Sequence, residues 1–257
     1  MGAPDPVVVA RLRAAGCVFA EDEAELLLAA APTAAALDGL VARRVAGEPL
    51  EQVLGWAEFC GRRFAVEPGV FVPRRRTELL VRSAVRAGGP GAVVLDLCCG
   101  VGAVGAAVAA ALGRVELHAA DVDPAAVRCA RRNLVGLGAV YEGDLFAPLP
   151  AGLAGRVELL VVNAPYVPTD AIALMPPEAR DHEARAALDG GSDGLAVHRR
   201  VAAGARRWLA PGGSLLIETS RRQAAGTQAL VAAAGLTARV VTDDDLDGTA
   251  VVGRLDA

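Results

Sequence analysis

The chain contains no lysine: all 26 of its basic residues are arginines, set against 30 acidic residues. The formal net charge of -4 therefore provides no overall attraction to nucleic acid. Aromatic residues are also scarce, at 4% of the chain, whereas hydrophobic residues make up 53%. A core built mainly from alanine, valine and leucine suits helices packed on buried parallel strands, so the composition favours an α/β protein.

Membrane, secretion and metal signals are missing as well. No apolar run free of charge is long enough to span a membrane, and the N-terminus lacks the basic start of a signal peptide. The cysteines are odd in number and lack C-x-x-C spacing, which argues against a disulfide framework and a zinc site. We therefore expect a cytoplasmic protein without a metal or a membrane contact. The five cysteines are Cys17, Cys60, Cys98, Cys99 and Cys129.

Three parts follow one another along the 257 residues. Residues 1–54 carry apolar side chains at helical spacings, which predicts a small helical domain. Residues 55–76 form short mixed runs broken by glycine and proline, which predicts a linking β-hairpin. Over residues 77–257 strands and helices alternate, as in a doubly wound, mostly parallel seven-stranded α/β sheet. The predicted strands are residues 92–97, 115–120, 139–142, 157–163, 214–219, 237–242 and 249–255.

A glycine-rich turn follows the first predicted strand of the sheet. Gly100, Gly102 and Gly105 satisfy the pattern G-x-G-x-x-G, whose missing side chains let a cofactor approach the backbone at a helix N-terminus. Asp121 ends the next predicted strand, where a carboxylate can accept hydrogen bonds from ribose hydroxyls. Asp96 lies just before the turn, where it would attract a cationic amino acid moiety but repel a pyrophosphate. The pattern predicts a nucleoside cofactor and favours S-adenosylmethionine over a dinucleotide.

The sequence Asn163-Ala164-Pro165-Tyr166 follows directly after a buried strand, which places it in the ligand crevice of an open α/β sheet. The Asn163 side-chain oxygen and the Ala164 carbonyl would hold both hydrogens of a planar nitrogen and aim it at a sulfonium methyl group. Pro165 removes a competing N–H donor, and Tyr166 would form a flat wall against the substrate. We predict that these four residues are catalytic and that the reaction methylates a planar amide or amino nitrogen.

Together these motifs resemble those of the HemK/PrmC family of protein-(glutamine-N5) methyltransferases, which methylate the glutamine of the Gly-Gly-Gln loop in peptide-chain release factors. Residues 71–78 are similar to the family's P-R-x-x-T-E signature, and residues 183–195 to its E-P-x-x-A-L-x-G-G-x-D-G-L block. Ala164 stands where the family usually has proline, and Cys98-Cys99 replaces a less bulky start of the cofactor loop. Such differences are typical of a diverged paralogue.

The resemblance implies a class I, Rossmann-like methyltransferase that uses S-adenosyl-L-methionine and releases S-adenosyl-L-homocysteine. Its partner would be a protein substrate, such as a release factor, and the enzyme would act as a monomer. The same motifs assign Arg74 and Glu183 to the substrate side, together with Asn163, Pro165 and Tyr166. The expected cofactor contacts are Asp96, Cys98, Gly100, Gly102, Asp121, Val122, Asp144, Leu145 and Asn163.

Three other functions fit parts of the sequence. An exocyclic amine of RNA or DNA is also planar, and the run Arg74-Arg75-Arg76 favours a nucleic-acid substrate. The glycine pattern by itself fits a nicotinamide-dependent oxidoreductase. Ala164 and the cysteine pair also fit a partner protein that has kept the fold and lost the reaction.

Overall fold

The structure, a computed structural model, describes residues 5–256. A bundle of four helices comes first, and its starts are set by local capping. The Asp5 carboxylate accepts a hydrogen bond from the Val7 N–H (2.8 Å) at the start of the first helix, and the Thr33 hydroxyl caps the third. Leu12, Leu27 and Val41 are fully buried within the bundle, which has a small core of its own. The helices are α1 Pro6–Ala14, α2 Ala20–Ala30, α3 Ala34–Val45 and α4 Leu50–Leu54.

An antiparallel hairpin follows, formed by β1 Trp56–Phe59 and β2 Arg62–Ala65, and it confirms the predicted linking element. Cys60 and Gly61 connect the strands with positive φ angles of 49° and 69°, as a tight primed turn requires. Ala57, Phe59 and Phe64 of the hairpin are part of the large buried core. The division into residues 1–54, 55–76 and 77–257 remains a prediction.

A seven-stranded sheet forms the centre of the molecule, with the order β5-β4-β3-β6-β7-β9-β8. All neighbouring strands are parallel except that β9 runs antiparallel to both β7 and β8, so the predicted fold class is confirmed. The strands are β3 Val93–Leu97, β4 Glu116–Asp121, β5 Gly138–Glu142, β6 Val157–Val162, β7 Leu209–Glu218, β8 Thr237–Asp243 and β9 Gly248–Arg254.

Helices cover both faces of the sheet. One buried cluster joins α5, α6 and α7 to one face, and a second joins α10 and α11 to the other, as the alternating pattern predicts. Within residues 5–256, no helix combines the length and the apolar character needed to cross a membrane. The helices are α5 Glu78–Ala87, α6 Ala103–Leu112, α7 Pro124–Asn133, α8 Pro177–His182, α9 Arg185–Leu188, α10 Ala196–Trp208 and α11 Ala224–Ala233.

Strand β7 differs most from its prediction, because it begins at Leu209 rather than at Ser214. The segment between them contains proline and glycine, which predict a loop. It pairs with β6 all the same, through an irregularity that shifts the register between Val157 and Leu159. A bulge of this kind accommodates an extra stretch of chain without ending the ladder, which local sequence does not reveal.

The chain leaves β3 toward β4 and β5 on one side and then returns to β6 on the other. Such a reversal opens a crevice at the carboxyl ends of the two central strands, where open α/β sheets bind their ligands. Both the glycine turn after β3 and the Asn163 turn after β6 open onto this crevice.

Candidate active site

The site is built on one row of residues at the carboxyl edge of the sheet. The last residues of β3 pair in register with those of β6 on one side and with β4 on the other. Asp121, Cys98 and Asn163, which end or follow these strands, therefore lie side by side. Residues far apart in the sequence are brought together here by the parallel register alone.

Two carboxylates brace the glycine turn. The Gly100 N–H donates to Asp121 Oδ2 at 2.8 Å, and the Gly105 N–H donates to Asp96 Oδ2 at 2.7 Å. Gly100 and Gly102 have φ angles of 54° and 79°, in the left-handed region that glycine adopts without strain. The turn is thereby held open in front of the N-terminus of α6.

The same carboxylates give the crevice its electrostatic character. Burial raises the pKa of Asp96 to about 8, against the opposing effect of the Gly105 N–H, and the nearby Asp121 raises it further. Burial also raises the pKa of Asp121. Burial disfavours the charged form of both acids, and a cationic ligand beside them would favour that form again, so the binding of such a ligand and the ionisation of the acids support each other. The sulfonium and ammonium groups of S-adenosylmethionine meet this requirement, so the residues fit the expected cofactor.

A cavity of about 320 Å³ occupies the crevice, a volume within the range of small-molecule sites. Val122 is 54% exposed at its edge, which leaves its side chain free to pack on a planar base. Of the residues predicted from the sequence, those that line the cavity are Asp96, Cys98, Gly100, Asp121, Val122, Asp144, Leu145, Asn163 and Pro165.

Five other predicted residues lie outside the lining, and their roles remain predictions. Gly102 caps α6, and Ala164 is 2% exposed within the protein. The Tyr166 hydroxyl donates to Glu218 Oε1 at 3.1 Å, and Tyr166 is not among the residues that line the cavity, so its role as a flat wall for the substrate stays a prediction. Arg74 and Glu183 pair with each other.

Glu183 holds the loop between the hairpin and α5. Its side chain is fully buried, and Oε1 accepts from the Val72 N–H at 3.1 Å and from Arg74 Nη2 at 2.5 Å. Burial raises the pKa of Glu183, while the Arg74 guanidinium counteracts that shift. The arrangement fixes residues 71–74 against the wall of the cavity, where Phe71 and Pro73 contribute to the lining.

Sequence reasoning did not identify several residues of the cavity. Thr77 belongs to the recognised 71–78 motif but had no assigned role, and Asn163 Nδ2 donates to its hydroxyl at 3.5 Å. Arg200 on α10 also lines the cavity and pairs with Asp144 at 2.5 Å, yet no local pattern distinguishes it from other surface arginines. In the part of the chain that the structure describes, no cluster of three histidine, cysteine or acidic side chains is arranged to hold a metal ion.

The strand order, the glycine turn and the acid at the end of β4 are those of a class I S-adenosylmethionine-dependent methyltransferase. The sequence model of the methyltransferase small domain family matches residues 61–244. Among solved structures, a methyltransferase from Pyrococcus furiosus superposes with a TM-score of 0.58 at 14% identity, covering 84% of this chain and 98% of that one. At that identity the likeness concerns the fold alone.

Sequence comparison with curated relatives identifies the family of this chain. A release factor glutamine methyltransferase of Geobacter sulfurreducens is 43% identical over 74% of this chain and 67% of its own length. One from Cereibacter sphaeroides is 38% identical over 93% of this chain and 92% of its own length. A 4-amino-L-phenylalanine/4-methylamino-L-phenylalanine methyltransferase of Streptomyces pristinaespiralis is 39% identical over 76% of this chain and 69% of its own length. The chain belongs to the HemK/PrmC family of release factor glutamine methyltransferases, and it is an S-adenosylmethionine-dependent enzyme.

Proposed function

We propose that this enzyme methylates the side-chain amide nitrogen of a glutamine in a protein, and that a peptide-chain release factor is the substrate. One observation carries the proposal: Asn163 and Pro165 line the same cavity as Gly100 and Asp121. The nitrogen-holding turn and the cofactor turn thus share one enclosed space. Several relatives bear the name release factor glutamine methyltransferase, which supports this choice of substrate.

Bound in the cavity, S-adenosylmethionine supplies an electrophilic methyl group on sulfur. The protein's own contribution is to hold the nucleophile. With Nδ2 of Asn163 engaged by Thr77, its Oδ1 is left to accept an N–H of the substrate amide. The Ala164 carbonyl is the second acceptor, and Pro165 beside it has no N–H to compete.

Holding both hydrogens in this way orients the nitrogen lone pair toward the methyl group. Proximity and orientation then supply most of the rate, because an amide nitrogen is a weak nucleophile and needs no prior deprotonation. Transfer breaks the sulfur–methyl bond and forms the nitrogen–methyl bond, and the nitrogen, which is then cationic and strongly acidic, releases its extra proton to solvent water. Asp96 and Asp121 lie on the cofactor side of the cavity, where their ionised forms would stabilise the positive charge of the bound cofactor.

An aromatic amine is the second candidate substrate. It is planar and weakly nucleophilic like an amide, and one relative at 39% identity is named for methylating 4-amino-L-phenylalanine. Ala164, where the family usually has proline, is the feature of the turn that favours a changed substrate. A cytoplasmic location and a monomeric state complete the proposal.

The test is to incubate the enzyme with labelled S-adenosylmethionine and a purified release factor, and to map the modified peptides by mass spectrometry. Asn163→Ala is expected to lower turnover by roughly 10²-fold while S-adenosylhomocysteine still binds, because one of the two acceptors for the nitrogen is lost. Ala164→Pro keeps the carbonyl and serves as the matched variant that restores the family pattern.

Methylation of 4-amino-L-phenylalanine or of RNA, with the release factor left unmodified, would assign another substrate to the site. Full turnover in Asn163→Ala would show that the turn does not hold the nitrogen at all.

A further inference from the structure

Glu218 occupies the next place in the row of residues at the sheet edge. Strand β7 pairs with β6 in register up to Val162 and Ile217, so Glu218 follows at the level of Asn163. The residue is 3% exposed, although it is a carboxylate at the end of a strand. Burying the charge of this acid is unfavourable without partners, so the residues that contact it must stabilise it.

One oxygen of Glu218 is well supplied with donors. Oε1 accepts from the Tyr166 hydroxyl at 3.1 Å and from Arg76 Nε at 3.4 Å. Oε2 is buried, and among residues 5–256 no donor meets it in standard hydrogen-bond geometry. A buried carboxylate oxygen without a donor is costly, so a nearby hydroxyl is expected to turn toward it.

Thr77 is the residue that can meet this need. Burial raises the pKa of Glu218, and Thr77 is the side chain that most opposes this rise; Thr77 is itself 2% exposed and follows Arg76, whose Nε lies 3.4 Å from Glu218 Oε1. The Thr77 oxygen already accepts from Asn163 Nδ2. A hydroxyl has one hydrogen to give, and an ionised carboxylate can only accept, so a hydrogen bond from Thr77 to ionised Glu218 would fix the direction of the whole chain of hydrogen bonds.

We propose that Glu218 is a positioning residue that sets the orientation of the Asn163 side-chain amide through Thr77. The carboxylate takes the Thr77 hydrogen, the Thr77 oxygen therefore accepts from Asn163 Nδ2, and Asn163 Oδ1 is turned toward the substrate. Through Tyr166 the same carboxylate also anchors the other end of the turn. This inference rests on the nitrogen-holding role proposed above for Asn163.

The chain contains two asparagines, Asn133 and Asn163, which allows a test that needs no substrate. Asparagine labelled with ¹⁵N in the side chain gives one pair of amide resonances for each residue. Asn133 Nδ2 donates to the Ala65 and Val101 carbonyls at 3.0 and 2.9 Å and serves as the internal reference.

In Glu218→Gln, the new amide group can donate to the Thr77 oxygen and displace Asn163 from it. We expect the Asn163 amide resonances to move and to exchange faster with solvent, while those of Asn133 stay in place. Thr77→Val removes the hydroxyl and is expected to do the same. Thr77→Ser keeps the hydroxyl, so it is expected to retain the Asn163 resonances.

Unmoved Asn163 resonances in folded Glu218→Gln and Thr77→Val would overturn the proposal. If Glu218→Gln does not fold, the Thr77→Val and Thr77→Ser pair decides the question. This readout is independent of substrate, so it stands even if the release factor is not methylated.

Turnover provides the second readout. With a substrate that the wild type methylates, Thr77→Val and Glu218→Gln are expected to lower kcat by roughly 10²-fold, as a misplaced acceptor would. The affinity for S-adenosylhomocysteine is expected to stay within a few-fold, because neither change removes a contact on the cofactor side. An equal loss of kcat in Thr77→Ser, or a loss of cofactor affinity that matches the loss of kcat, would show general damage and overturn the proposal.

Discussion

Replacing Asp96 by asparagine is expected to change how the stability of the enzyme depends on pH. Asp96 is 1% exposed on β3, and its Oδ2 accepts from the Gly105 N–H at 2.7 Å. Burial and the neighbouring Asp121 raise its pKa to about 8 in the folded protein, whereas the value for an unperturbed aspartate is 3.8. Asparagine has nearly the same shape and keeps an oxygen for Gly105, so the variant changes mainly the titration.

The direction of this pH dependence of stability follows from how many protons the folded and the unfolded protein bind. Between the two pKa values the folded protein holds a proton on Asp96 that the unfolded chain has released, so the free energy of unfolding falls as pH rises. The loss is at most about 1.4 kcal/mol per pH unit. Over about three units below pH 8 it amounts to a few kcal/mol on that scale. Below the unfolded pKa the contribution is fully present, and above the folded pKa the loss is complete.

The assay is urea unfolding of the wild type and of Asp96→Asn without cofactor, at several values between about pH 5 and about pH 8. The wild type is expected to lose stability relative to the variant as pH rises. Asp170→Asn, a change at an exposed carboxylate, controls for the loss of one acid. A stability difference that is constant with pH, or one that grows in favour of the wild type, would refute the reasoning.

Two further predictions concern packing. Gly190→Ala would place a methyl group 2.8 Å from the Tyr166 Cα, so it is expected to lower stability by about 1–3 kcal/mol and to reduce turnover through displacement of the turn. Gly152→Ala, where the added methyl group meets open space, is the matched control. Equal effects of the two variants in calorimetry and in the methylation assay would contradict the steric argument. Arg44→Met leaves the largely buried Glu23 without its 2.6 Å partner and is expected to lower stability by about 3–5 kcal/mol in denaturant unfolding. Adding Glu23→Leu is expected to recover much of that loss, and a double variant as unstable as the single one would count against the ion-pair explanation.

Much of the fold follows from the sequence, because its signals are local. The continuous apolar strands with helices between them specify a buried parallel sheet, and the turn residues mark its loops. The strand limits agree with the structure to within a residue or two except in β7, where pairing through an irregular register overrides the proline and glycine signal. Pairing of that kind depends on the neighbouring strand and has no local signature.

For the site, the sequence placed Asp121 and Asn163 correctly at one edge, since the carboxyl ends of parallel strands meet there. The directions of side chains were decided only by the tertiary structure. The Tyr166 hydroxyl contacts Glu218, and Thr77 lies against Asn163 across 86 positions of sequence. Such contacts depend on how loops from different parts of the chain pack over the strand ends. A periodic pattern describes each element alone, and therefore it does not contain them.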